Sequence, residues 1–459
     1  MNRETMKSII LVILIAFSLV LTVALWQYQP ATETLEDDGV IEDTKLEGLG
    51  ETAKVSDVIV PDDIIFHEET SHFTFNDIED KTSFFKRMQE WNLTNIDISP
   101  GPRGTRNVDR AVEIIFPESI PLQTIGDLFV INDETVLQNV EQNYDRIILA
   151  RLSDPSAATM YELWFIQSGS DHSDLTLRAN INANAGEQAL SKIESKSDLQ
   201  ELMSLSETFE EADPDWLRSG HIYLPKEVNP LPEVVLQTDA IPVTPLQNDL
   251  FPSPESGVTY ETNEYKRKKT NERLMDIYDD SRLMEYVWLV PNSVNQKELK
   301  EYELLVRSVQ DINSHWGWTE DFRLDSLSAA AGNIQYRMYY NDTPVMAVED
   351  TYHLPSITQE YQEGQIQRYV RPLVKFKRFE TGDNFRPEME STEEVIATLQ
   401  QMESLSFDEI LGVEVRYTLE EQPSKLAYSL IPEWYYRTNT TDWTRLFEER
   451  EPNQNEELS

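Results

Sequence analysis

The chain has 459 residues, with 83 acidic side chains against 39 basic ones, a formal charge of −44 and no cysteine. Such a charge repels phosphate backbones at long range and argues against nucleic acid as a partner. The missing cysteine excludes disulfides, thiolate zinc sites and a cysteine nucleophile, while the length calls for two or three domains.

Residues 1–7 carry Arg3 and Lys7, and from Ser8 to Trp26 there is no charge, Gly or Pro. At about 1.5 Å per residue this run nearly covers the ~30 Å hydrocarbon core, so residues 8–28 are expected to form a transmembrane helix ending in the headgroup-level aromatics Trp26 and Tyr28. Basic flanks stay inside, which puts residues 1–7 in the cytoplasm and the rest, beginning with Glu33, Glu36, Asp37, Asp38, Glu42 and Asp43, outside the cell membrane. A cleavable signal peptide, with Thr22 and Ala24 before the cut, is the rival reading. Leu11, Leu14, Ser18, Leu21, Thr22 and Leu25 recur at helical spacing, and Ser18 with Thr22 forms a small-xxx-small pair that admits a second helix. The alternative is that both hydroxyls bond back to their own helix.

Residues 29–54 are acidic and poor in aromatics, which reads as a tether. Residues 55–230 mix strand-like runs (Val112–Phe116, Arg146–Ala150, Leu163–Ile166) with helical candidates at Ser83–Trp91 and Glu187–Ser206, an α+β pattern. Six prolines between Asn229 and Pro254 mark a linker or surface strap and the start of a middle α+β domain, residues 231–380. There Asn295 and Glu298 are expected to cap a helix through Leu299, Tyr302, Leu305, Val306, Val309 and Ile312, followed by a hairpin with Ile334, Tyr336, Met338 and Tyr340 on one strand, Asn341-Asp342 at the turn and Val345 on the return. Residues 381–450 repeat that order: Ser391 and Glu394 cap a helix through Val395, Leu399 and Met402, and a strand with Val413, Val415 and Tyr417 faces Leu426, Tyr428 and Leu430. Residues 451–459 read as a frayed tail. The fold class is therefore α+β, with antiparallel sheets and packed helices behind one membrane helix.

Motifs for chemistry are missing. There is no GxSxG elbow, Walker loop or dinucleotide fingerprint. His67 and His72 lie one residue too far apart for the HExxH arrangement on one helical face. The 83 acidic residues supply too many carboxylate pairs for any one to point to hydrolysis. His315-Trp316-Gly317-Trp318 is the densest aromatic cluster; it reads as cover for a helix end, or alternatively as an exposed sugar-stacking surface. No catalytic, cofactor or metal residue is assigned, and no cofactor is expected. The apolar face of the anchor is the better candidate for function.

Met1-Asn2-Arg3-Glu4-Thr5-Met6-Lys7-Ser8-Ile9-Ile10-Leu11 leading to Leu25-Trp26-Gln27-Tyr28-Gln29-Pro30, together with Leu250-Phe251-Pro252-Ser253-Pro254, Tyr278-Asp279-Asp280-Ser281-Arg282-Leu283-Met284-Glu285-Tyr286, Tyr336-Arg337-Met338-Tyr339-Tyr340-Asn341-Asp342-Thr343-Pro344-Val345 and Pro432-Glu433-Trp434, resembles the YycH family. One departure is Asp280-Ser281 where a Tyr-x-Asp-Gly turn would place glycine. The resemblance implies a three-domain ectodomain without catalysis, whose last two domains are related to those of YycI. It also implies action with a YycI-like single-pass protein on the sensor histidine kinase WalK, which governs cell-wall metabolism, through contacts between transmembrane helices. Neither the sign of the effect nor an extracellular ligand follows from it. The alternative from another class is an anchored glycan-binding protein or hydrolase.

Overall fold

The computed structural model describes residues 44–98, 108–138, 140–152, 160–168, 174–209, 222–278, 282–289, 298–348, 351, 353–378, 385–402, 405–423 and 427–447. The expected transmembrane helix, most of the tether and the frayed tail lie outside these residues, as do Leu11, Leu14, Ser18, Leu21, Thr22 and Leu25. Among the described residues no helix is long and apolar enough to cross a membrane.

The first sheet draws on β1 (Asp63–Glu68), β2 (Ser71–Phe75), β3 (Asn92–Asp97), β4 (Val108–Pro121), β5 (Val130–Ile131), β6 (Asn143–Leu152), β7 (Met160–Gln167), β8 (Asp174–Asn180), β9 (Leu199–Ser204) and β10 (Tyr223–Pro225). Their spatial order is β10-β9-β2-β1-β4-β6-β7-β8-β3-β5. Strands β6 and β7 are buried on both faces, which is why they read as nearly continuous apolar runs rather than alternating ones. Before and between these strands come α1 (Val55–Val58), α2 (Ile78–Gln89), α3 (Ile125–Leu128) and α4 (Ala183–Leu190). Asp77 caps α2 by accepting from the Glu79 and Asp80 amides, and Phe84, Phe85 and Met88 turn inward.

The helix expected over Glu187–Ser206 ends at Leu190. Two 3-10 turns follow, and Leu199–Ser204 becomes β9, pairing antiparallel with β2 through His72↔Leu202 and Phe75↔Leu199. The free edge of β2 supplies hydrogen bonds that outweigh the local helical spacing, an effect set by tertiary structure.

The second sheet uses β11 (Val234–Ala240), β12 (Val258–Glu261), β13 (Lys266–Lys269), β14 (Arg273–Tyr278), β15 (Leu283–Trp288), β16 (Asp321–Ser328), β17 (Asn333–Tyr340), β18 (Thr343–Ala347), β19 (Ser356–Gln362), β20 (Gln365–Pro372), β21 (Val374–Arg378), β22 (Ile410–Glu421), β23 (Ala427–Thr438) and β24 (Thr444–Arg445). The order is β12-β13-β14-β15-β20-β19-β17-β18-β22-β23-β11-β21, with β16 on β17 and β24 on β23. Helices α5 (Val243–Leu250), α6 (Glu301–Asn313) and α7 (Thr392–Gln401) complete this half.

The proline-rich stretch is not a linker. Its β11 pairs on both sides, with β21 and β23, and α5 follows directly. Pro230 and Pro232 precede the strand, Pro242 precedes α5 and Pro245 falls in its first turn, so none removes a ladder or helix hydrogen bond. Helix α6 starts at Glu301 with Lys300 at its cap, rather than at Asn295–Glu298, and the Glu303 carboxylate accepts from the Lys300 amide. Ser391 and Glu394 do form the capping box of α7. Asn341 and Asp342, at φ 46° and 64°, make the two-residue turn between β17 and β18, the left-handed pair such a hairpin needs.

The described residues from 44 onward belong to one compact unit, and a single apolar cluster runs from Ile64, Phe66 and Ile114 of the first sheet to Leu304, Tyr336 and Leu430 around the second. The seam between the sheets also holds charge. Lys81 of α2 donates to the Asp342 carboxylate at 2.6 Å, Arg323 donates to the other Asp342 oxygen at 2.5 Å, and Tyr339 donates to Asp62 at 2.8 Å. Asp62 and Asp63 keep part of their surface in contact with solvent. Burial in the seam nevertheless lifts the Asp62 carboxyl to about 6 and that of Asp63 to about 7.

A carboxyl whose pKa is raised on folding, here from 3.8 to about 7, costs nothing below the lower value, costs stability progressively as pH rises between the two, and carries a constant cost above the higher one. Replacing Asp63 with Asn should therefore raise the melting temperature by about 1–3 °C at about pH 8, with the gain fading toward about pH 5. Paired thermal melts of the two proteins across that window check it.

Candidate functional site

Helix α6 ends in the aromatic cluster singled out from the sequence. The Trp316 amide donates to the Asn313 carbonyl at 3.1 Å and the Gly317 amide to the Ile312 carbonyl at 2.9 Å, with Trp316 in the left-handed region at φ 53°. This is a Schellman closure with tryptophan where glycine is usual, a strained choice that the surroundings must hold. Trp318 is buried, edge-on to Tyr336 with ring centres 4.9 Å apart, and Trp316 is half-buried with the Lys45 ammonium 5.0 Å from its ring. The cluster covers a helix end; a sugar-stacking face made from both tryptophans is not available.

What lies over this end is the chain's own lead-in, residues 44–54, which the sequence assigns to the tether of residues 29–54 but which pack against the body. The Leu46 amide donates to the His315 carbonyl at 3.0 Å, and Glu51 and Trp318 form an antiparallel bridge, Glu51 amide to Trp318 carbonyl, also at 3.0 Å. Asn313 uses both ends of its amide: its Oδ1 accepts from the Ala53 amide and its Nδ2 donates to the Ala53 carbonyl, each at 2.8 Å, while Oδ1 also accepts from Trp318 Nε1 at 2.8 Å. Lys375 donates to the Leu49 carbonyl. Leu46 is fully buried, and α1 then inserts Val55 and Val58 into the common core. Gly48 supplies the left-handed turn at φ 73°, and Gly50 lies so close that a Cβ there would fall 2.0 Å from the Trp316 carbonyl oxygen.

Beneath the clamp, His315 is fully buried and its pKa lies below the ordinary value, chiefly through burial. The neutral ring donates from Nδ1 to Asp249 at 3.1 Å, leaving Nε2 to accept from Tyr369 at 3.0 Å and from Arg371 at 3.3 Å. Arg371, also fully buried, donates further to Thr319 and Tyr369. Glu320, next along the chain, accepts from the Phe376 amide, and burial raises its carboxyl to about 7. The arrangement supports the end of α6 from below while the lead-in is bonded to its backbone from above.

His67 and His72, five apart in sequence, face each other across the β1–β2 hairpin with Nδ1 atoms 2.8 Å apart. His67 Nε2 meets Glu113 at 2.9 Å, and Arg146 pairs with the same carboxylate. Burial alone would raise the Glu113 carboxyl, but Arg146 and His67 outweigh it and hold it at about 2. This network belongs to the interior of the first sheet, and among the described residues no group of three or more His, Cys, Asp or Glu side chains is placed to hold a metal ion.

Sequence reasoning found the aromatic cluster but not its occupant, since the lead-in lies some 260 residues away in the chain. The signal in retrospect is Gly48 and Gly50 in an otherwise acidic stretch, one for a turn and one for close approach. Gly50→Ala should destabilise the fold by about 1–3 kcal/mol and open Lys45 and Lys54 to trypsin, whereas Gly48→Ala, with open space around it, costs about 1 kcal/mol or so. Limited proteolysis followed by mass measurement distinguishes the two.

Comparison with known proteins agrees along the length. Residues 4–193 match the YycH protein N-terminal domain and residues 219–448 the YycH protein C-terminal domain. The "Two-component system WalR/WalK regulatory protein YycH" of Bacillus subtilis (strain 168) is 19% identical over 391 residues, spanning 81% of this chain and 80% of that protein. A crystal structure of YycH from Bacillus subtilis shares the fold, with a TM-score of 0.63 at 14% identity, covering 87% of this chain and 99% of that one. The α+β architecture is thus shared with a solved YycH structure, and this chain belongs to the YycH family.

Proposed function

We propose that this chain is a non-enzymatic regulator of a WalK-type sensor histidine kinase controlling cell-wall metabolism. In this reading residues 8–28 anchor it in the cell membrane with the described body outside. The anchor face formed by Leu11, Leu14, Ser18, Leu21, Thr22 and Leu25 packs against the kinase and a YycI-like single-pass partner. The observation that carries the proposal is the clamp. Residues 44–54, the last part of the stretch read as a tether, are bonded to the end of α6 through Asn313, His315 and Trp318, which leaves only residues 29–43 between the proposed anchor and the body. A few kcal/mol of difference between two helix packings is enough to shift their populations.

The rival reading, a wall-binding or wall-cleaving protein, loses its best support because Trp318 is buried. In membranes carrying the kinase, autophosphorylation should differ with and without the full-length chain. Gly50→Ala, which loosens the lead-in and leaves the anchor untouched, should remove most of the difference, and Ser18→Leu with Thr22→Leu should lower co-purification of the kinase. An autophosphorylation rate identical with and without the chain overturns the proposal.

A further inference from the structure

The C-terminal end of α5 touches two things at once. Asp249 accepts from Ser314 at 2.6 Å and from His315 at 3.1 Å, under the point where Lys45 and Leu46 join the body. The next residue, Leu250, accepts from Arg273 of β14, and the Phe251 ring lies 5.3 Å from the Lys268 ammonium of β13. The arm formed by β12, β13 and β14 is therefore anchored beside the place where the lead-in meets the body.

That arm has an unusual surface. All four residues of β12, the last strand of its sheet, are exposed, with Val258 at 55% and Tyr260 at 53%. The register Val258↔Lys269, Tyr260↔Arg267, Lys269↔Leu274 and Leu274↔Val287 puts these side chains on one face, and Leu289, 44% exposed, continues it two residues beyond Val287. Between Val258 and Tyr278 five basic residues stand against four acidic ones, Asp276 being paired with Arg267, in a chain of charge −44. Lys266 and Lys269 are exposed, and neither makes an ion pair among the described residues.

Resting on the anchor reading above, we propose that the β12–β13 arm docks on the anionic lipid surface of the bilayer that holds the anchor. Val258, Tyr260 and Leu289 with Lys269 on their face, and Lys266 on the reverse of the same exposed edge, match the boundary between headgroups and acyl chains. The fifteen or so residues between the anchor and Thr44 reach at most about 50 Å, so the arm is held at high effective concentration near that surface and a weak contact suffices. Repulsion between the acidic remainder and the same lipids favours this face over the others. A partner strand adding to the edge is the less favoured occupant, since four residues provide only a short ladder.

The test uses the full-length chain, whose lack of cysteine allows a single reporter. Asn263→Cys, at the exposed turn of the arm, and Ser197→Cys, exposed on the first sheet, each carry a fluorophore in vesicles of phosphatidylcholine and phosphatidylglycerol in equal parts, with a headgroup-level quencher. Strong quenching at residue 263 and little at residue 197 is expected, with the docked-to-free ratio falling by about tenfold in Lys266→Glu/Lys269→Glu and falling likewise at high salt. Equal quenching at both sites, equal quenching in pure phosphatidylcholine, or shielding of residue 263 only when a partner protein is present overturns the proposal. Vesicle flotation separates the two readings: a chain that does not float defeats the anchor, whereas a chain that floats with residue 263 unquenched defeats only the arm.

Discussion

The side-chain amide of Asn313 joins the start of the described chain to the end of α6. It pairs with both backbone groups of Ala53 and also accepts from Trp318, so one residue at the end of α6 satisfies three polar groups that would otherwise be left unpaired in a partly dry site. Around it, the Glu51–Trp318 bridge and the Leu46–His315 bond continue the same attachment, and Leu46, Val55 and Val58 add apolar contact. Each element is modest alone. Together they turn an acidic, glycine-containing stretch of chain into part of the second sheet's surroundings.

The support beneath the clamp is polar and buried, which makes it unforgiving. His315 and Arg371 sit fully inside, with Tyr369, Thr319 and Asp249 as partners. Removing one partner would leave another stranded in a medium that solvates it poorly. The first sheet holds a counterpart in Glu113, Arg146, His67 and His72, and the seam holds a third in Lys81, Asp342, Arg323 and Tyr339. Buried ion pairs of this kind contribute little net stability compared with apolar packing, but they tolerate few alternative arrangements. The result is three buried polar networks, each holding neighbouring elements in one arrangement.

Much of this architecture could be read from local patterns. The capping box at Ser391 and Glu394, the alternation through Ile334, Tyr336 and Met338, and the Asn341-Asp342 turn all act within a few residues of chain, and each took the form that its pattern implies. Two departures share one cause. Leu199–Ser204 became a strand because β2 had an open edge, and Val234–Ala240 became an interior strand because β21 and β23 lie on either side of it. Hydrogen-bond partners supplied from far along the chain leave no trace in local periodicity.

By itself the sequence determined the strongly acidic character, the freedom from disulfides, the α+β class and the resemblance to YycH, since composition, short-range capping and hydrophobic alternation depend on residues close together. Only the tertiary structure decided where the aromatic end of α6 is used. The sequence favours Trp316 and Trp318 as cover for a helix end without saying what lies over them, and Gly48 and Gly50 let residues 44–54 approach closely enough to bond with the backbone of His315 and Trp318. That approach is a matter of shape between segments some 260 residues apart, which no short window of sequence can express.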